Sequence, residues 1–365
     1  MELKYRCGIV GCGRTASTFE DASDRKKPCT HAGIYREHKD TELVAAADIS
    51  SQRLKKFKER WNVDKTYLDY NEMLEKERFD ILSVCTHAPS HKEIVVNAAN
   101  AGVQAIFCEK PIATSLREAD EMIEVCKKKG VILAVNHTRR WDEYFNIIKA
   151  MINYGEIGEM ESMICHSAAG LLNNGTQIFD LMRYYGGDAD WLIGRLKYDD
   201  STDPNGSGML RLKNGVDVFV DSGFREYMLH GINIIGNKGM IRGTGMTTVD
   251  ANFEVLKVSD VKLGGTSEIP EKIMRAPFLR KIEYPQMKSP ILIALENIIH
   301  CLEDNISKPK CTGEDGRAAL EIALAFFESE HHGGEKVTFP MKNRDLRVIP
   351  RETGFTKDGT MEGTA

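Results

Sequence analysis

The sequence predicts an α/β protein: an N-terminal doubly wound parallel sheet, then an α+β domain built on a large, open, mostly antiparallel sheet. Three observations lead there. Over the first 135 residues, short uncharged apolar runs alternate with amphipathic helical stretches. The first run feeds directly into a glycine-rich loop. Beyond about residue 155 the runs lengthen and alternate apolar with polar positions.

The apolar runs are Tyr5–Val10, Leu43–Ala47, Ile81–Cys85, Ala105–Cys108 and Val131–Val135. Runs this short and this apolar suit strands covered on both faces, as in a parallel sheet. Between them Ser51–Arg60, Lys92–Ala101 and Ser115–Lys129 carry helical periodicity. Gly102 and Gly130 stand where a left-handed C-cap favours glycine. Repetition of strand and helix indicates the doubly wound architecture. Further on, Gly208–Leu212, Val216–Phe224 and Gly231–Ile235 read as antiparallel strands, with Asn214-Gly215 at a tight hairpin turn. Helices are expected over Asn174–Tyr185, Ile291–Asp304 and Asp315–Ser329. The expected domains are residues 1–135 and 136–340, with 341–365 a polar, loosely ordered tail.

Composition narrows the function classes. The chain has 365 residues, enough for two cores at roughly 150 residues per domain. Its 49 Lys+Arg against 54 Asp+Glu argue against nucleic-acid binding, which needs a clustered basic excess. No run approaches the roughly 18 apolar residues of a membrane span, and no basic-then-apolar leader precedes the first strand. The nine cysteines are odd in number and none form a C-x-x-C pair, which disfavours a disulfide framework or a zinc ribbon. A reducing, cytoplasmic setting is expected.

The run Tyr5–Val10 leads into Gly11-Cys12-Gly13-Arg14-Thr15-Ala16, a G-x-G-x-x-A loop at a strand end. Gly11 can make the tight turn, Gly13 lets a pyrophosphate approach the backbone, and Ala16 permits close helix packing. The amides of Arg14 and Thr15 would face the phosphates. The next strand ends in Asp48-Ile49, where a carboxylate can accept both ribose hydroxyls of an adenosine and repel a 2′-phosphate. Asp48 lies 35 residues beyond Gly13, against a usual gap of about 20, so Asp21–Pro28 reads as an inserted loop. NAD is therefore the expected cofactor, with NADP possible because Arg53 is close by. After the fourth apolar run comes Glu109-Lys110-Pro111. A lysine there points into the crevice where ligands of such sheets bind, and Pro111 holds it extended.

These motifs resemble the glucose–fructose oxidoreductase, inositol dehydrogenase and MocA (Gfo/Idh/MocA) oxidoreductases. The resemblance runs through Gly11–Ala16, Asp48, Thr86–His91, Glu109-Lys110-Pro111 and Asn136–Arg140. It continues in Gly155–Glu159, Gly175–Gly187, Gly236–Gly239 and Thr312–Gly316, so it spans nearly the whole chain. It implies a Rossmann domain with Lys110 beside the nicotinamide and facing the reacting hydroxyl, and with Glu109, Thr86, His87 and His91 around the cofactor. It also implies a sugar or cyclitol substrate and a homo-dimer or homo-tetramer formed through the second sheet.

One departure matters. Many members carry D-x-x-x-H before the helix that faces the nicotinamide; here Asn173 and Gln177 fill those positions. An amide cannot take up a proton near neutral pH, so Gln177 can orient a hydroxyl but cannot be the base. Lys110, or with less support His87, His166 or Tyr184, is left to carry the proton, while Asp180 is expected to be structural. Cys85, His87 and His91 span a strand end and a helix start without a cysteine pair, and no metal is expected. The leading expectation is an NAD(P)-dependent oxidoreductase acting on a secondary hydroxyl or ketone. Alternatives are redox-assisted glycoside cleavage or epimerisation with retained NAD, and a non-catalytic cofactor- or sugar-binding protein.

Overall fold

The structure, a computed structural model, describes residues 5–349 except 169, 198–202, 224–228, 246–250, 264–271, 286–287 and 305–306. The first sheet contains β1 (Tyr5–Val10), β2 (Thr41–Ala47), β3 (Lys65–Tyr67), β4 (Ile81–Val84), β5 (Ala105–Cys108) and β6 (Ile132–Val135). All are parallel, in the order β3-β2-β1-β4-β5-β6. Strand order reverses between β1 and β4, so the crevice outside their C-terminal ends is the expected ligand site. Five of the six strands follow the apolar runs. The unforeseen β3 is a three-residue edge strand, Lys-Thr-Tyr, which needs no apolar run because none of its residues is fully buried.

Helices α1 (His31–Glu37), α2 (Ser51–Trp61), α3 (Tyr70–Lys76), α4 (His91–Asn100) and α5 (Leu116–Lys129) connect these strands. Their ends are set locally. The Ser50 and Ser115 hydroxyls accept the amides of Arg53 and Glu118, and Gly130 ends α5 at φ 69°.

The helix after the glycine loop is split. His31 and Ala32 donate their amides to the Thr15 and Ala16 carbonyls at 3.1 and 3.0 Å, so α1 resumes a turn begun at the loop. The excursion therefore runs from Ser17 to Thr30, longer than Asp21–Pro28. Removing it brings the Gly13-to-Asp48 gap back to about twenty. It is fastened by the Asp21–Arg60 pair at 2.7 Å and by Trp61 Nε1–H donating to Ser17 Oγ at 2.7 Å. The Glu20 carboxylate accepts from the Cys29 amide and the Thr30 hydroxyl.

Beyond α6 (Glu143–Asn153) the second sheet gathers nine strands. They are β7 (Met160–Ser167), β8 (Ala189–Lys197), β9 (Asn205–Leu212), β10 (Asp217–Ser222), β11 (Gly231–Gly236), β12 (Gly239–Thr244), β13 (Asn252–Leu263), β14 (Lys272–Ile282) and β15 (Val337–Thr338). Their order is β14-β13-β12-β11-β7-β10-β9-β8-β15, and only β7 and β10 run parallel. Phe224, expected in the β10 run, lies outside the described residues.

One face of this sheet is covered by α7 (Thr176–Gly186) and α9 (Gly313–His331); α8 (Pro290–Asp304) precedes α9. Phe179 of α7 and Phe326 of α9 stack at 5.8 Å. Phe326 lies over Gly194 and Gly208, where a Cβ would come within 3.0 Å of its ring. The start of α9 also docks on the first domain. Thr312 and Asp315 form a capping box, and at Gly316 a Cβ would stand 2.9 Å from Val135. Residues after β15 return to the first domain, with Arg117 donating its amide to Arg344 and Val348 donating to Thr114.

Candidate functional site

The crevice is built from strand ends. Gly11 sits at φ +93°, and a Cβ there would lie 2.8 Å from the backbone of Cys85 and Thr86, so glycine is required by both conformation and packing. Gly13 is different: a Cβ on it would meet nothing within 4 Å. Among the described residues nothing requires that glycine, and the open space over it, beside the Arg14 and Thr15 amides, fits a pyrophosphate. Asp48 is buried at the end of β2. One carboxylate oxygen accepts the Cys12 amide and the other the Ser50 amide, both at 2.8 Å, which fixes its orientation against the loop. Arg53 approaches it at 3.5 Å, and Ile49 beside it is 89% exposed. The residues expected to hold an adenosine and its phosphates are thus together.

At the end of β4, Thr86 accepts from the Ser90 hydroxyl at 2.8 Å and His87 is exposed. His91 is buried with Nε2 2.9 Å from the Thr86 carbonyl and Nδ1 3.1 Å from that of Pro111. It ties the β4 exit to the turn that carries Lys110. Burial lowers its pKa and outweighs the carbonyls, which favour the protonated ring.

Glu109 is buried at the centre of a polar chain. His31 Nε2 lies 3.1 Å from Glu109 Oε1, and Asn136 Nδ2 donates to the same oxygen at 2.8 Å. His31 Nδ1 continues to Ser83 Oγ at 2.7 Å, and Ser83 to the Tyr35 hydroxyl at 2.7 Å. Burial alone would raise the Glu109 pKa, yet these partners and Lys110 bring it below the usual carboxylate range. Sequence reasoning missed His31, because the excursion separates it from the glycine loop.

Lys110 Nζ donates to both the main-chain oxygen and Oδ1 of Asn173, each at 2.8 Å. An ammonium has three N–H donors, so one remains for a ligand. Desolvation brings its pKa down to about 8; Glu109 and Asp203 oppose that shift, while Arg139 and Arg14 add to it. Asn173 belongs to a π-type turn, Leu171–Gly175, that runs into α7. Gln177 follows one turn later, half-buried on the same face.

Two more histidines border the site. His137 is buried with neither ring nitrogen hydrogen-bonded, and burial lowers its pKa to about 4. His230 accepts the Ala168 amide at Nδ1, which places the proton of its neutral ring on Nε2, and burial lowers its pKa to about 3. Neither histidine titrates near neutral pH. The other candidates lie apart. His166 faces Asp221 at 3.7 Å on the side of the sheet opposite α7, and Tyr184 donates to Asn146 at 2.6 Å. Asp180 holds Arg140 through two bonds of 2.9 and 2.8 Å, and Arg140 also reaches Asp315 at 3.1 Å. Burial pushes the Cys12, Cys85 and Cys108 thiols up, which makes them packing groups. Among the described residues no three His, Cys, Asp or Glu side chains cluster as a metal would require.

Comparison with known proteins agrees with this architecture. Residues 5–137 match the Gfo/Idh/MocA family, described as an oxidoreductase family with an NAD-binding Rossmann fold. The chain is 34% identical over 154 residues to myo-inositol 2-dehydrogenase of Thermotoga maritima, covering 42% of each chain. It is 31% identical over 155 residues to D-apiose dehydrogenase of Paraburkholderia graminis, covering 42% of this chain and 38% of that one. These matches span less than half of either relative's length. The fold extends further. The structure of myo-inositol 2-dehydrogenase from Lactobacillus plantarum superposes with a TM-score of 0.69 at 21% identity, covering 92% of this chain and 99% of that one.

Proposed function

We propose that this chain, whose residues 5–137 match the Gfo/Idh/MocA oxidoreductase family, belongs to that family and is an NAD(P)-dependent dehydrogenase or reductase. Its substrate would be the secondary hydroxyl, or the corresponding ketone, of a sugar, cyclitol or sugar derivative. The observation that carries the reading is that the open Gly13 position, Asp48 and Lys110 all follow the C-terminal ends of strands, β1, β2 and β5, of one parallel sheet. The cofactor supplies the hydride acceptor or donor, and the protein must bind, orient and move the proton. The glycine-loop amides would hold the pyrophosphate and Asp48 the adenosine ribose. Because Asp48 repels a 2′-phosphate, NAD is the favoured cofactor.

Gln177 carries no titratable proton, and His137 and His230 are too weakly basic to serve. Lys110, with its pKa near 8, is the group able to change protonation in the working range. As a neutral amine it would take the hydroxyl proton during oxidation, and as an ammonium it would return one during reduction. Gln177 would orient the hydroxyl. The names of the curated relatives, an inositol and an apiose dehydrogenase, support this substrate class.

The sheet face opposite α7 presents an apolar row across four strands, Ile193, Met209, Phe219 and Ile164, in direct register. Ile193 and Phe219 are 40% and 50% exposed. Such a row fits a second copy of this chain, giving a homo-dimer or homo-tetramer.

The test is a panel of sugars, cyclitols and keto-sugars with NAD and NADP, read as nicotinamide absorbance, beside calorimetric titration of each cofactor. Binding with turnover is expected. Failure to bind either cofactor would overturn the reading.

A further inference from the structure

The second domain meets Lys110 with a neutral side chain, Asn173, and a carboxylate lies one layer behind it. Asp203, just before β9, is 1% exposed. Its Oδ1 accepts the Leu172 amide at 2.8 Å and its Oδ2 the Asn173 amide at 2.9 Å. These amides open the turn that leads into α7. The residue in the N-cap position, Gly170, has no side chain to cap them. The space for the carboxylate is made by that glycine: a Cβ on Gly170 would stand 2.2 Å from Asp203 Oδ2. Leu171 in turn donates its amide to the Pro204 carbonyl at 3.2 Å, so the Asp203-Pro204 segment and the turn are joined at three consecutive amides.

We propose that Asp203 is a positioning residue for Lys110: it supplies the negative charge that position 173 lacks and, through the turn it caps, aims both Asn173 oxygens at the ammonium.

A buried carboxylate is costly unless hydrogen bonds and a nearby cation compensate it. The two amides provide the bonds. The surrounding charges show what Asp203 does electrically. Lys110 is faced by Glu109 from its own turn, Arg14 from the glycine loop, Arg139 from the loop after β6, and Asp203 from the loop before β9. His137 and His230 border the same space but are neutral near pH 7. Glu109 is shared with His31 and Asn136. Against two guanidinium groups, Asp203 is thus the second-domain charge that helps Lys110 keep its proton. Placing that charge behind the backbone leaves the second domain's direct acceptors for the ammonium, the Asn173 carbonyl and amide oxygens, neutral.

This inference rests on Lys110 being the reacting lysine, and its test separates the two claims. The Lys110 protonation midpoint is read without substrate, by competitive acetic-anhydride labelling across pH with mass-spectrometric detection, in folded protein checked by circular dichroism. Asp203→Asn is expected to lower the midpoint by about one pH unit, and Asn173→Asp to raise it. The double variant should return it toward the original value. The pH limb of kcat/KM should move in the same direction while NADH affinity, read by fluorescence, stays unchanged. Should Asp203→Asn not fold, Asp203→Ser, whose hydroxyl can still accept a turn amide but carries no charge, must give the same downward shift. An unmoved Lys110 midpoint in a folded variant overturns the proposal. A moved midpoint in a protein that turns over no substrate leaves the positioning role standing and removes the dehydrogenase reading.

Discussion

The two walls of the crevice are built on different logic. On the first-domain wall each part has a local sequence cause. Gly11 is forced by a positive φ and a close strand, Asp48 is anchored by the Cys12 and Ser50 amides, and Lys110 follows directly from β5. On the second-domain wall the functional turn, Leu171–Gly175, is shaped by a residue thirty positions away in sequence, Asp203. A strand-end site can be read along the chain. A turn capped from another loop cannot, because its determinant is a tertiary contact.

The largest expected effect lies where the walls meet. Lys110→Met should lower kcat roughly 10²–10⁴-fold while leaving the cofactor Kd nearly unchanged, measured by steady-state kinetics and calorimetry. An unaltered kcat would detach Lys110 from the chemistry.

Next comes a contrast within the first wall. Gly13→Val should fold normally, since a Cβ there meets no protein atom, yet weaken cofactor binding by at least about tenfold. Gly11→Ala should instead reduce stability by about 1–3 kcal/mol, read from denaturant melts, because it forces alanine into a positive φ against β4. If both variants lost stability equally, Gly13 would be a structural glycine and the cradle reading would fail.

A smaller change is expected at Asp48→Ser. With the carboxylate gone and Arg53 freed from its 3.5 Å contact, the preference for NAD over NADP should fall by roughly tenfold, as a ratio of kcat/KM values. Smallest in its effect on the crevice is Phe219→Asp on the open sheet face. It should shift the protein toward monomer in sedimentation velocity without altering cofactor affinity.

How much could be read in advance follows the same division. Five of six strands in the first sheet were legible because both-face burial demands uncharged runs, and β3 was not, because an edge strand makes no such demand. The glycine loop and an insertion behind it were legible, but the insertion's extent and the point where the helix resumes were not. The Ser17–Thr30 excursion interrupts the helix, and the ladder that rejoins it exists only in three dimensions. That same break hid His31, the buried partner of Glu109. In the second domain the antiparallel texture and the helices α7 and α9 were readable from periodicity, whereas the face they cover was not. The capping of Asn173, the orphaned nitrogens of His137 and the apolar row on the open face were not, since each depends on register or on contacts between distant segments.

The pH dependence of kcat/KM for hydroxyl oxidation tests the central claim most directly. Lys110 must be a neutral amine to accept the proton, and its pKa is depressed to about 8. The rate should therefore rise with pH through a single limb centred near 8 and level off above it, and reduction of the ketone should fall over the same range. A limb centred near 6.5, the unperturbed histidine value, or one that survives unchanged in Lys110→Met, would contradict the account.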